Sequence, residues 1–286
     1  MASRAEVVAA HLRLTHPFPS LLDGLVAGAA AVAGGGDPAT AARLAVSMVL
    51  LQASVGSLND VIDAPSDAGR KPGKPIPAGL VRPAVATGMA AVAGAAGVLL
   101  AVPSGPTTVG LALVLLALGY AYDLWFKGTA WSWLPFALAI PLFPTYGWLG
   151  AAGALPPFWA VLLPTAVLAG TALALANAMV DVERDRAAGL ESVATRLGRG
   201  RSRWVNLGLL AVVWLLAVAT LGLAGELVPW GLAALGGGLA AAAGWVVLGA
   251  EDPAARERGW EAQAVGVAVL AAGWLAAMVT GGAVRP

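Results

Sequence analysis

The sequence contains no cysteine. Disulfide bonds, thiolate-ligated metals and a cysteine nucleophile are therefore excluded, and the redox character of the compartment stays open. Charge is scarce as well: only 12% of the 286 residues are Asp, Glu, Lys or Arg, and the formal net charge is +1. So weak a basic balance makes no electrostatic case for binding nucleic acid. Neither a Walker loop nor a Gly-x-Gly-x-x-Gly turn ahead of a helix is found, so a nucleotide is not expected to carry any phosphate that the chain binds.

What is abundant is apolar surface. Hydrophobic residues make up 59% of the chain, mean hydropathy is +0.79, and there are 37 glycines, a composition that excludes an ordinary water-soluble domain. Small residues let helices approach closely in lipid, where no hydrophobic force holds helix to helix. The expectation is a single all-α domain over residues 1–286, a polytopic membrane bundle. Runs long enough to span a hydrocarbon core lie at about 17–35, 38–58, 83–102, 107–125, 131–150, 156–180, 204–224, 228–250 and 260–282. The segment Met1 to His16 has acidic Glu6, two histidines and no apolar centre, so it does not read as a cleaved signal peptide.

The breaks between these nine runs alternate between Gly/Pro-rich and charged. If the amino terminus is cytoplasmic, only Arg43 and Arg285 of the 17 lysines and arginines fall outside. That asymmetry is a strong positive-inside signal and supports an odd number of spans. Tryptophans such as Trp125, Trp131, Trp204 and Trp260 fall near run ends, as interfacial anchors should, whereas Trp214 and Trp245 do not.

Against this apolar background, Asn59, Asp63 and Asp67 repeat the spacing of Asn177, Asp181 and Asp185, with 118 residues between Asn59 and Asn177. Both triplets end even-numbered runs and so reach the same, cytoplasmic face. A parallel internal repeat of four spans is expected. Steps of four advance about 40° past a full turn, so each triplet forms a narrow helical stripe. Pro65 is expected to break or kink the backbone before Asp67. Solvated loop acids would be the ordinary reading, and pairing with Arg70, Lys71, Arg184 and Arg186 a second one. Carboxylates mixed with nearby Lys and Arg instead suit magnesium, which joins one or two carboxylates to substrate phosphates. A lipid-soluble diphosphate then fits best.

These residues resemble the UbiA superfamily of intramembrane prenyltransferases, 4-hydroxybenzoate polyprenyltransferases in particular, on three motifs. The first is Asn59-Asp60-Val61-Ile62-Asp63-Ala64-Pro65-Ser66-Asp67, followed by a basic, proline-rich stretch from Arg70 to Gly79. The second runs from Asp181 to Ser192 and closes at Leu197-Gly198, and the third is Tyr122-Asp123-Leu124-Trp125-Phe126-Lys127; all three are expected in cytoplasmic loops. The resemblance implies a nine-helix fold and Mg2+-dependent transfer of a prenyl group from a polyprenyl diphosphate to a hydrophobic acceptor, commonly an aromatic ring. It places magnesium on Asp63, Asp67, Asp181 and Asp185, with Asn59 and Asn177 orienting ligands or water. Arg70, Lys74, Tyr122 and Lys127 would attend the diphosphate, Lys127 assisting its departure.

Acceptor alternatives are a lipid or a chlorin, and the cation could also be cyclised within the chamber. A cation-coupled transporter is the reading from another class, and it would place its site nearer the midplane. Where the family often has arginine before the first-span proline, this chain has His16-Pro17. His16, as a base or an interfacial histidine, and Asp23, an acid well inside a span, are the candidate acceptor contacts. Gln52 and Thr171, and Asn177 as the alternative to its site role, are read as interhelical hydrogen bonders, and the Arg196–Arg203 run as a topology determinant that attracts anionic lipid headgroups. A prokaryotic cell membrane is the expected location; oligomeric state is left open.

Overall fold

The computed structural model describes residues 3–69, 71, 73–221 and 227–281, less the side chains of 247 and 248. Among the described residues the ordered elements are helices alone. Proline supplies many of the starts: Pro17, Pro38, Pro83, Pro106 and Pro253 each stand in the first helical turn, where the missing N–H forfeits no bond and the fixed φ suits the helix. Two of these starts are also capped. Asp37 accepts from the amides of Ala39 and Thr40 at 2.8 and 3.0 Å, and Asp252 from those of Ala254 and Ala255 at 3.2 Å, satisfying donors that have no partner in the helix.

A short helix α1 (Arg4–Leu14) precedes the apolar ones: α2 (Pro17–Ala33), α3 (Pro38–Asp67), α4 (Pro83–Ala101), α5 (Pro106–Ala121), α6 (Leu134–Ala152) and α7 (Trp159–Val180). Two polar helices, α8 (Val182–Ala187) and α9 (Val193–Leu197), then lead into α10 (Arg199–Leu221), α11 (Leu227–Gly249) and α12 (Pro253–Thr280). Eight of these are long and apolar enough to cross a membrane, and α2, at 17 residues, is a shorter apolar helix. Together the nine follow the nine runs read from the sequence in order, as an integral membrane bundle. The α1 helix packs Ala10 and Leu14 against Val81 and Ala86, which brings its end, and His16 after it, to the charged end of the bundle.

Small residues set the helix spacing. A Cβ added at Gly147 of α6 would stand 1.9 Å from the Ala27 carbonyl oxygen of α2. Gly236 of α11 and Gly266 of α12 face each other's backbone in the same way, at 2.5 Å from the Leu270 nitrogen and 2.6 Å from the Ala240 nitrogen. Gly147→Val is accordingly expected to force α2 from α6 and lose more than the roughly 1–3 kcal/mol of an ordinary overpacked core. Gly88→Ala, where no atom lies within 4 Å, is the control. The fraction of monodisperse protein and the Tm in detergent check both; a Gly147→Val protein as stable as its parent would refute the close approach.

Two expectations need correction. Helix α3 is unbroken through Pro65 to Asp67. Pro65 forfeits only its own bond to Val61, and the helix ends two residues later, where the Ser66 hydroxyl donates to the Asp63 carbonyl oxygen at 2.9 Å. The third motif is not a loop either. Tyr122–Phe126 continues α5 as a π turn, closed by the Lys127 amide donating to the Tyr122 carbonyl oxygen at 2.8 Å. Asp123 and Lys127, at its two ends, both line the cavity.

Candidate active site

Helices α2, α3, α5, α6, α7, α10 and α12, with the π turn, surround one cavity of about 1260 Å³. Its depth is apolar, lined by residues such as Leu115, Phe143, Leu162, Leu173, Val213 and Trp274. Its mouth holds nearly all the charge that the chain spends on one region: Asp60, Asp63 and Asp67 from α3, Asp181 and Asp185 from the α7–α8 junction, and Lys71, Lys74, Lys127 and Arg184 around them. Steps of four place Asn59, Asp63 and Asp67 on one stripe of α3, and all three line the cavity.

Ion pairs join the motifs. Lys71 Nζ lies 2.6 Å from Asp181, which Arg184 also reaches at 2.6 Å. Lys74 Nζ is 2.6 Å from Asp60 and 3.5 Å from Asp67, and Lys127 pairs with Asp63. The Lys71–Asp181 contact ties the loop after the first motif to the second motif directly, so the two Asp-rich elements converge. Pairing of acids with neighbouring Lys and Arg, the second of the ordinary readings, is thus present. Even so, the compensation is incomplete: Oδ2 of Asp67 is buried without a hydrogen bond, with only the Lys74 charge at 3.5 Å, and Oδ2 of Asp123 is buried with no hydrogen-bond partner, a costly state that a cation would relieve.

Other expected residues are placed as follows. Asn59 donates to Asp123 Oδ1 at 2.6 Å, so it orients an acid that the sequence reading passed over. Asn177, Tyr122, His16 and Asp23 line the cavity, and the Tyr122 ring meets Phe136 edge-on at 5.3 Å. Arg70 lies outside the described residues. Arg186 is exposed and does not border the cavity. Gln52 and Thr171 bond within their own helices, to the Met48 sulfur at 3.8 Å and the Val167 carbonyl oxygen at 2.9 Å, instead of across helices as expected. Each has an acceptor one turn back, and that local partner wins.

Asp60 is the main residue that the spacing argument missed. It stands off the i, i+4 stripe, yet it shares a face with Asp67 at i+7 and is only 3% exposed. An acid inside an apolar helix was the available signal. Arg256 was missed too: 1% exposed, it donates to the Val180 carbonyl oxygen at 3.1 Å and pairs with Glu183, pinning the junction that presents Asp181.

The two acids of the second motif differ electrostatically. Burial works to raise Asp181, but the hydrogen bond and charge of Lys71, with Arg184, hold its carboxyl below the usual range. Burial pushes Asp185 above it, and the nearby charge of Asp181 adds to the rise despite a Ser192 hydrogen bond. Among the described residues no three acids or histidines already form a closed metal cage. Magnesium does not require one, since it keeps waters and takes most of its remaining ligands from phosphate; the all-oxygen donor set on the two helix ends fits it.

Fold and site together define a helical membrane protein built around one apolar chamber with a charged mouth. The chain belongs to the UbiA prenyltransferase family, whose profile matches residues 21–264. It is 32% identical over 223 residues to chlorophyll synthase of Arabidopsis thaliana, covering 71% of this chain and 57% of that protein. It is 29% identical over 152 residues to digeranylgeranylglyceryl phosphate synthase of Sulfolobus acidocaldarius, covering 52% of this chain and 54% of that one. The chain thus spans little more than half the length of these relatives. In three dimensions it is similar to a UbiA homologue from Aeropyrum pernix, with TM-score 0.71 and 17% identity over 91% of this chain and 98% of the other. It is also similar to a homologue from Archaeoglobus fulgidus bound to DMAPP and Mg2+, with TM-score 0.68 and 18% identity over 91% and 99% of the two chains. These likenesses bear out the all-helical UbiA fold.

Proposed function

We propose that the protein is a magnesium-dependent intramembrane prenyltransferase that moves a prenyl group from a polyprenyl diphosphate to a hydrophobic acceptor. The observation that carries this reading is the convergence of two Asp-rich helix ends and four basic side chains on the mouth of an apolar chamber. Asp63, Asp67, Asp181 and Asp185, supported by Asn59 and Asn177, would hold Mg2+. When bound, that metal supplies Lewis-acid stabilisation of the departing diphosphate. Lys71, Lys74 and Lys127, which pair with these acids and with Asp60, would reach the phosphate oxygens and stabilise the same charge; Arg70 and Tyr122 are assigned to the same side. The apolar depth of the chamber would shield the allylic cation from water. We place the charged mouth on the cytoplasmic side of a prokaryotic cell membrane.

The relatives named for chlorophyll and for a glyceryl phosphate favour an amphiphilic lipid or chlorin acceptor over the small aromatic ring that the motifs alone suggest. A transporter is disfavoured, because both acid clusters and their lysines lie at one end of the bundle. The test is diphosphate release by the purified protein from geranyl, farnesyl and geranylgeranyl diphosphates, with and without Mg2+ and with and without acceptors. Release that needs Mg2+ supports the reading, release without any acceptor points to cyclisation, and none under any condition refutes it.

A pH dependence follows from the second motif. Asp185, raised by burial, takes up a proton before Asp181 as the pH falls, and a protonated carboxyl loses affinity for a cation. Mg2+ binding in the presence of inorganic diphosphate is therefore expected to weaken while the pH is still above the ordinary carboxylate value of about 4. Calorimetric titration across pH checks this; unchanged affinity down to that value would contradict it.

A further inference from the structure

His16 is the one non-glycine residue with positive φ among the described residues, at φ 46° and ψ 65°. Such a conformation at a cavity wall often marks a position whose side chain is held for use. Here the backbone delivers the ring onto α3. A Cβ at Gly56 would stand 3.0 Å from His16 Cγ and Cδ2, so the imidazole lies against α3 only because position 56 has no side chain. His16 Nε2 is 3.1 Å from Asp60 Oδ1, and the same oxygen accepts from Lys74 Nζ at 2.6 Å. A carboxylate paired with lysine can only accept hydrogen bonds, so Nε2 carries a hydrogen, and in the neutral ring the lone pair is on Nδ1. Among the described residues Nδ1 has no hydrogen-bond partner, and the side chain, 33% exposed, borders the cavity. Two turns along α2, about 10 Å away, Asp23 also lines the cavity and likewise has no hydrogen-bond or ion-pair partner among the described residues.

From this geometry we infer that His16 is the proton-accepting catalytic residue of the transfer and that the acceptor is a hydroxyl-bearing amphiphile. The inference rests on the prenyl-transfer reading. In the step, the C1–O bond of the prenyl diphosphate breaks and its electron pair leaves with the diphosphate. The acceptor oxygen bonds to C1, and its proton passes to His16 Nδ1. Asp60 and Gly56 are positioning residues: the first fixes the tautomer, the second the ring plane. A carboxylate acceptor would have no proton to give and no use for this arrangement. Asp23 supplies a partner for a second polar group of the acceptor.

The chain has two histidines, which makes the tautomer directly measurable on 15N-histidine-labelled full-length protein in detergent. His11 Nδ1 lies 2.7 Å from the Val7 carbonyl oxygen and so serves as a reference of the opposite tautomer. The expected spectrum shows His16 as the Nε2–H form, a preference lost in Asp60→Asn. In turnover, with Mg2+, geranylgeranyl diphosphate and 1-O-hexadecylglycerol as probe, His16→Gln is expected to lower ether formation on the order of 10²-fold or more. Added imidazole should restore part of it to His16→Gly, which a merely structural role would not allow. An Nδ1–H tautomer at His16, full ether formation by His16→Gln, or transfer to palmitate but not to the alcohol would overturn the inference. Absence of Mg2+-dependent diphosphate release from the unaltered protein would instead remove the prenyl-transfer reading beneath it.

Discussion

Replacing any one of Asp63, Asp67, Asp181 or Asp185 by alanine is expected to lower Mg2+-dependent diphosphate release by on the order of 10²–10³-fold, the scale on which single electrostatic contacts to a developing charge act. The ion pairs make the expectation more specific than simple inactivation. Asp63→Ala frees Lys127 and Asp181→Ala frees Lys71, so each substitution removes a negative charge and releases a positive one into the mouth of the cavity. Affinity for metal-free diphosphate should therefore hold or rise while turnover collapses. Steady-state kinetics over a magnesium series, alongside calorimetric binding of inorganic diphosphate, separates the two effects. Full activity in any two of the four variants would break the assignment of these acids to a metal, and a parallel loss of diphosphate affinity would point to disordered structure.

Arg256→Met is expected to lower both stability and turnover, although it lies outside the cavity mouth. The guanidinium is buried at the start of α12, donating to the Val180 carbonyl oxygen at the end of α7 and pairing with Glu183 of α8. Methionine matches much of its volume but leaves that carbonyl without its donor. Removing one member of a buried pair costs roughly 3–5 kcal/mol; because Glu183 is itself 47% exposed and keeps Arg199 at 3.3 Å, the lower part of that range is expected. The Tm in detergent should fall, and residual folded protein should show a lowered kcat, since the same contact presents Asp181. A variant with unaltered Tm and kcat would mean that the α7–α8 junction holds its shape without α12.

Much of this molecule is legible in its sequence because a membrane imposes few solutions. Apolar runs of about twenty residues must become helices to satisfy their own backbones, and so the nine runs emerge as nine apolar helices in order. The acid stripes were legible because charge in such runs is rare and costly. Asp60 was not, since a rule of steps of four cannot show what lies one residue off the stripe, and its partners, His16 and Lys74, come from other segments. Arg256 read as one more topology charge; only the fold shows that it turns inward. Pro65 was misread because a helix-breaking propensity weighs little in a final turn, where few hydrogen bonds remain to be lost.

The π turn at Tyr122–Phe126 carries a consequence for how this site can vary among descendants of the same chain. A π turn holds one residue more than the α-helical turn it replaces, so an in-frame loss of a single codon there would be structurally mild: α5 would run on as regular helix and the bundle would persist. Because the surplus residue is absorbed inside the turn, the residues beyond it would keep their facing, and Lys127 would still close the turn over Tyr122. Loss of exposed Leu124 or Trp125 would then be tolerated, whereas loss of Asp123 would leave Asn59 without the acid it bonds; the turn is a place where chain length can vary and the site persist.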